Sequence, residues 1–99
     1  MLFILRFTDK PHSLPLREQH LAAHLAWLDA QAEQVLVAGT LRPEPDAAPV
    51  AAIWIVRAAS REAVLALSDS DPFWIHGLRA TREVFYYRAH SALPAFNAG

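Results

Sequence analysis

Two segments of the chain carry side chains that could move protons. The first is Arg17-Glu18-Gln19-His20-Leu21, in which His20 lies one helical turn beyond Arg17. Histidine titrates nearest to neutral pH, so His20 is a candidate general base or acid if a carboxylate fixes its tautomer. The second is Asp71-Pro72-Phe73. Proline disfavours the helical region for the residue before it, so Asp71 starts a turn and presents its carboxylate. His20 and Asp71 therefore form the candidate catalytic pair, with Asp71 holding the imidazole or carrying a proton itself. Arg17 suits a substrate carboxylate, because its planar fork matches that geometry. The plainer alternatives are a helix histidine bonded to backbone or water, and an aspartate that merely caps the turn before Phe73-Trp74-Ile75.

Other chemistry finds less support. His20 and His24 have the i,i+4 spacing of a metal-binding helix, and His76 could join them. The glutamate that follows the first histidine in zinc proteases is missing, and Glu18 points away, so no metal is expected. The chain has no cysteine, which excludes disulfides, thiol catalysis and thiolate metal sites. Gly39 and Gly77 are isolated, no phosphate-cradling loop or dinucleotide fingerprint occurs, and no organic cofactor is expected. Lys10 is the only lysine and the arginines are scattered, so the basic footprint of a nucleic-acid binder is absent. Trp27, Trp54 and Phe73 are candidate walls of a substrate pocket.

The elements that would position these residues read clearly. Leu2 to Thr8 alternates between an apolar set, Phe3/Leu5/Phe7, and a mostly apolar one, as in a strand covered on both faces. Ser13 is a candidate cap for a helix running from about Leu14 to Gln34, with Pro15 in its first turn. On that helix Leu14, Leu21, Leu25, Leu28 and Ala32 form one stripe, expected to face inward. Leu16, His20, His24, Trp27 and Gln31 lie along its flank, beside a sheet edge or cleft. Val35 to Ala38 reads as a strand ending near Gly39-Thr40-Leu41, and the proline-rich stretch 42–49 as a loop. Val50 to Arg57 is a third strand, again apolar on both faces. Ser60 caps a second helix to about Ser68, with Ala63, Val64 and Leu67 inward. After the turn DSDPFWIHG, Leu78 to Arg88 makes the last strand.

The order β-α-β-β-α-β is the split arrangement of ferredoxin-like α+β folds with an antiparallel sheet. Residues 1–88 form the domain, and 89–99, without periodicity, a flexible C-terminal arm. Two helices cover one sheet face only, yet the strands are apolar on both. A second copy packed sheet to sheet, a dimeric α+β barrel, accounts for that excess, as does a composition that is 54% hydrophobic and 19% charged. The start MLFILRFTDK is too short for a signal peptide and no apolar run reaches membrane-spanning length. A soluble cytoplasmic homodimer is expected, binding a small molecule and neither nucleic acid nor membrane.

Together, Arg17-Glu18-Gln19-His20-Leu21, Val37-Ala38-Gly39, and Asp71-Pro72-Phe73 before Gly77 resemble the YciI-like, or YCII-related, family over residues 1–88. The resemblance implies a dimeric α+β barrel, related in architecture to muconolactone isomerases. It also implies a site built on a histidine and an aspartate, carried over onto His20 and Asp71. Leu41-Arg42-Pro43 stands where family members often have Gly-Pro after the strand-2 glycine, so the loop beside the pocket differs. The reading favoured is a cofactor-independent enzyme of isomerase or lyase type, moving a proton on a compact cyclic or aromatic metabolite. The alternatives are a non-catalytic ligand-binding or accessory dimer, and a purely structural dimer with a filled interior.

Overall fold

A computed structural model of the chain describes residues 1–91. Its elements are β1 (Leu2–Asp9), α1 (Leu14–Ala30), β2 (Val35–Leu41), β3 (Ala51–Arg57), α2 (Arg61–Asp69), α3 (Pro72–Ile75) and β4 (Arg79–Tyr87). The four strands form one sheet in the order β2-β3-β1-β4, every neighbour antiparallel. This is the ferredoxin-like α+β arrangement expected from the sequence. From residue 92 onward, the C-terminal arm lies outside the described residues.

Local chemistry explains the boundaries. Ser60, in extended conformation, starts α2 by accepting a hydrogen bond from the Ala63 N–H at 3.1 Å. Ser13 makes no such side-chain bond at the start of α1, where Pro15 occupies the first turn. The far end of α1 comes earlier than the expected Gln34. Residues 31–34 tighten into a turn because Gln34 already belongs to the sheet: its carbonyl accepts from Arg57 N–H at 2.8 Å. The segment DSDPFWIHG resolves into the short helix α3 followed by Gly77, whose φ of +79° suits a residue without a Cβ.

Both long helices pack on one sheet face. From β1 that face receives Phe3, Leu5 and Phe7, all fully buried; β3 adds Trp54 and Val56, and α2 adds Val64. Phe7 stacks edge-on against Trp54 with ring centres 4.7 Å apart. Ala63, expected inward, is exposed, while Val64 and Ser68 are the buried residues of α2.

The orientation of α1 departs from its hydropathy. Leu14, Leu21 and Leu25 are 45%, 40% and 50% exposed in the single chain, whereas Arg17 and His24 are 8% and 7% exposed. The helix is rolled so that the flank, not the leucine stripe, lies on the sheet. The energetics favour this. A half-exposed leucine forgoes only about half of the ~2 kcal/mol its full burial provides. Stripping a buried aspartate of its partner costs roughly 3–5 kcal/mol, and two aspartates lie beneath this helix.

The opposite sheet face is open; it is apolar over Ile4 and its neighbours, with an Arg6–Glu83 ion pair and a Thr8–Thr81 hydrogen bond beside them. Register sets Ile4 between Ile55 and Phe85, and Val37 beside Ile55. Val37, Leu41, Phe85 and Tyr87 are substantially exposed there. No helix among the described residues is long and apolar enough to cross a membrane.

Because Phe7 fills the space between Trp54 and a buried arginine, Arg79, whose guanidinium lies 4.3 Å from its ring, Phe7→Ala should lower unfolding stability by about 3–5 kcal/mol. Urea denaturation followed by tryptophan fluorescence checks this; a loss under about 1 kcal/mol would show that the site collapses around the cavity.

Candidate active site

Asp71 is the starting point. Pro72 after it holds its backbone extended, at φ −63° and ψ 125°, so that it becomes the N-cap of α3. Its Oδ1 accepts from the Phe73 N–H at 3.1 Å, as a cap should. The carboxylate is also completely buried. A cap alone does not require that, and the remaining partners show what else the residue does.

His24 Nδ1 lies 2.6 Å from Asp71 Oδ1. With the carboxylate ionised, Nδ1 carries the proton and donates it, which leaves the Nε2 lone pair outward. Nε2 has no hydrogen-bond partner among the described residues. The imidazole is held flat by Phe73, whose ring stacks on it at 4.0 Å and 17°. A carboxylate fixing one nitrogen while an aromatic fixes the plane is the arrangement a general base needs.

The second carboxylate oxygen meets a second network. Arg79 Nη2 is 3.4 Å from Asp71 Oδ2 and Arg79 Nη1 is 3.6 Å from Asp9 Oδ1. Asp9 Oδ2 in turn accepts from Arg17 Nη2 at 2.6 Å. Arg17, Asp9, Arg79, Asp71 and His24 thus form one chain of alternating charge beneath α1, every side chain nine-tenths or more buried. Burial pulls the Arg79 pKa down from its ordinary value, and the charges of Asp71 and Asp9 oppose that shift.

Over His24 opens a cavity of about 110 Å³ between α1 and the β2–β3 half of the sheet. Leu21, Leu25, Leu28, Ala52 and Trp54 give it apolar walls, while Arg17, His24 and Arg79 form its polar end. A closed apolar cavity of ~150 Å³ holds benzene, so this one, open at its mouth, suits a single compact ring.

The residues singled out in the sequence fall into three groups. Asp71, Arg17 and Trp54 come together at the cavity and its floor, although Arg17 is already engaged by Asp9. Phe73 lies beneath the histidine as its stacking partner, and Trp27 sits aside, against Trp54 at 5.3 Å, with its indole N–H donating to Ser70 Oγ. The expected pairing of His20 with Asp71 is corrected: the carboxylate is bonded by His24, one turn further along α1. α1 crosses α3 so that His24 meets its N-cap, Asp71, while His20 meets its C-cap, His76, ring on ring at 3.8 Å and 2°. That divergence also separates the i,i+4 histidines. Among the described residues, no three His, Cys, Asp or Glu side chains converge as metal ligands.

Asp9 and Arg79, absent from the expected site, carry a signal in strand parity and register. Asp9 continues the Phe3/Leu5/Phe7 parity and so falls on the helix-covered face. Arg79 pairs with Asp9 across the β1–β4 ladder. An acid and a base placed on a core-facing register need each other, and whatever else stands there is drawn into the same network.

The family model described as the YCII-related domain matches residues 1–88. No curated protein matches the chain by sequence. Among solved structures, 5-chloro-2-hydroxyhydroquinone dehydrochlorinase (TftG) from Burkholderia phenoliruptrix AC1100, in complex with 2,5-dihydroxybenzoquinone, superposes with a TM-score of 0.81. It is 29% identical, over 89% of this chain and 94% of that one. SnoaB, a cofactor-independent oxygenase from Streptomyces nogalater, gives a TM-score of 0.51 at 22% identity, over 94% and 95% of the two chains. Protein Atu4242 from Agrobacterium tumefaciens gives 0.53 at 16%, over 94% and 99%. The last two are similar to the chain in fold alone.

Asp71→Asn retains a good cap but removes the charge that balances Arg79, and should cost roughly 3 kcal/mol of stability. Asp69→Asn, which breaks a pair with Arg82 at an aspartate 58% exposed, should cost under ~1 kcal/mol. Parallel thermal and urea denaturation decides; equal losses would show that Asp71 is a cap and nothing more.

Proposed function

The chain belongs to the family of YCII-related domains, and on that premise we propose that it is a small-molecule enzyme working by acid–base proton transfer. The observation that carries this is the His24–Asp71 pair, bonded at 2.6 Å, in a histidine that lines a largely apolar cavity and whose other ring nitrogen has no hydrogen-bond partner among the described residues. His24 takes the role expected of His20. The substrate class is a compact cyclic or aromatic metabolite bearing an acidic hydroxyl. Support for that class comes from the cavity's size and walls, and from the dihydroxybenzoquinone held by the chlorohydroquinone-processing neighbour.

In this reading His24 Nε2 removes the proton of the ring hydroxyl. The O–H electron pair passes into the ring, and the imidazolium that forms is stabilised by Asp71 through Nδ1–H. From that anion two outcomes are open. The proton returns at a ring carbon, which is an isomerisation and makes that carbon tetrahedral. Where that carbon bears an anionic leaving group, loss of a second hydroxyl proton then forms a carbonyl, shifts the ring double bonds and expels the group, which is a lyase step. Arg17 and Arg79, at the polar end of the cavity, lower the cost of the negative charge on the ring. His24, Asp71 and the arginines supply the proton transfer between them; Trp54 and the leucines of α1 exclude water from one side of the ring.

We further propose that the protein works as a homodimer joined through its open sheet face. Ile4, Ile53, Ile55, Val37 and Phe85 form a continuous apolar patch there, and Gly39 has nothing within 4 Å of where a Cβ would stand. A strand glycine bordering free space permits close approach of another backbone.

Two experiments test these readings. Hydroxylated and chlorinated hydroquinones are incubated with the protein and followed by ultraviolet absorbance and chloride release. His24→Gln should reduce kcat/KM by at least about 100-fold, while His20→Gln stays within a few fold of the wild type. Full activity in His24→Gln ends the proposal, and binding of 2,5-dihydroxybenzoquinone with no turnover across the series replaces it with a ligand-binding module. For assembly, light scattering should give a dimer for the wild type and a monomer for Ile55→Asp; a monomeric wild type refutes the sheet-to-sheet pairing.

A further inference from the structure

Arg79 is larger and costlier than a counter-ion to Asp71 needs to be. Its side chain is 1% exposed, lies 4.3 Å over the Phe7 ring and 5.3 Å over the Phe73 ring, and leaves Nε and Nη1 without hydrogen bonds. Burying a guanidinium with two unmatched nitrogens is expensive. Its position supplies a reason. It donates at 3.4 Å to the oxygen of Asp71 that His24 does not use, and stands at 3.6 Å, in ion-pair range without a hydrogen bond, from the oxygen of Asp9 that Arg17 does not use.

The charges in this cluster sum simply. Two aspartates and two arginines cancel, so the buried network is neutral only while the imidazole carries no proton. Protonating His24 leaves one uncompensated positive charge out of water. A His–Asp pair without the arginine would instead be neutral as imidazolium and carboxylate, and would hold the proton tightly.

We propose that Arg79 is the positioning residue that keeps His24 unprotonated and therefore able to act as a base, with Asp9 as the counterweight that limits its effect. Arg79 does so from the far side of the carboxylate: it draws on the charge of Asp71 through Oδ2 and holds the carboxylate with Oδ1 towards the imidazole. The site then accepts its extra positive charge only when a negative charge forms on the ligand beside it, which ties protonation of His24 to formation of the ring anion. The charged and titratable groups around His24 that enter this balance are Asp71 at the α3 N-cap, Arg79 on β4, Asp9 on β1 and Arg17 on α1 itself; His20, one turn away on α1, and His76, at the end of α3, stack on each other instead.

The inference rests on His24 being the base, yet its test needs no turnover. The titration of the His24 ring is followed by NMR in the wild type, with His24→Gln identifying its signals. In Arg79→Met the titration midpoint should move up by about one pH unit or more, roughly a tenfold tighter hold on the proton. In Asp9→Asn, which frees both arginines, it should move down. Arg79→Lys, which keeps the charge, should stay closest to the wild type. Loosening of the site would drive both Arg79→Met and Asp9→Asn in the same direction, towards the titration of a free histidine, and that result overturns the proposal. Should Arg79→Met fail to fold, a downward shift in Asp9→Asn still supports the proposal, and an unchanged or upward one refutes it. Opposite shifts in a protein that converts no substrate would sink the catalytic reading and leave the coupling standing; activity without opposite shifts would do the reverse.

Discussion

A carboxylate removed from water has to be matched on both oxygens, and the arrangement around Asp71 follows from that requirement. One oxygen accepts from His24 and from the backbone of α3; the other lies against Arg79. Arg79 is itself buried and calls on Asp9, and Asp9 on Arg17. Each partner comes from a different element: α3, α1, β4 and β1. The network therefore fixes the orientation of α1 on the sheet, the seat of α3 against α1, and the register at the end of the β1–β4 ladder. That ladder shifts at Thr8/Asp9, where the acid and base meet.

The same requirement explains why α1 ignores its leucines. Rolling the helix to bury Leu14, Leu21 and Leu25 would carry Arg17 and His24 away from their aspartates. Partial exposure of three leucines is the smaller loss, because the transfer energy of an apolar side chain is recovered in proportion to the area covered, whereas an unpaired buried charge is penalised in full. The roll also has a use. Leu21, Leu25 and Leu28 become one wall of the cavity, and His24 lines it with them. Function and stability draw on one set of contacts here, so a change to Asp9 or Arg79 acts on both.

The sheet divides its labour between faces. The helix-covered side holds the aromatic core of Phe3, Phe7, Trp54 and Phe73 together with the charged network. Among the described residues the other side carries no helix; branched aliphatic and aromatic residues share it with the Arg6–Glu83 and Thr8–Thr81 pairs. Among the described residues, Pro11, Pro15, Pro43, Pro45, Pro49 and Pro72 lie in turns, loops or the first turn of a helix, and none interrupts a strand. Pro72 illustrates the economy: by holding Asp71 extended it makes a cap, and by making the cap it aims the carboxylate at α1.

From residues alone came the element order, the ferredoxin-like fold and the turn that Asp71 starts, because these depend on local signals. Strand alternation, helical spacing, Ser60 before Ala63 and the Asp-Pro turn all act over a few residues. The pairing of histidine and aspartate is not a local quantity. His20 and His24 share one helix flank, and His20 has the arginine a turn before it, so their spacing cannot rank them. What ranks them is where α3, over forty-five residues later in the chain, crosses α1. Only the tertiary structure decides that its capped end meets His24 and its other end His20. Likewise, alternation put Asp9 on the core face, but a lone acid there has no meaning until Arg79 arrives across the ladder. Hydropathy misjudged the roll of α1 for the same physical reason. It sums the burial of single side chains, and this helix is oriented by charges that must be satisfied together.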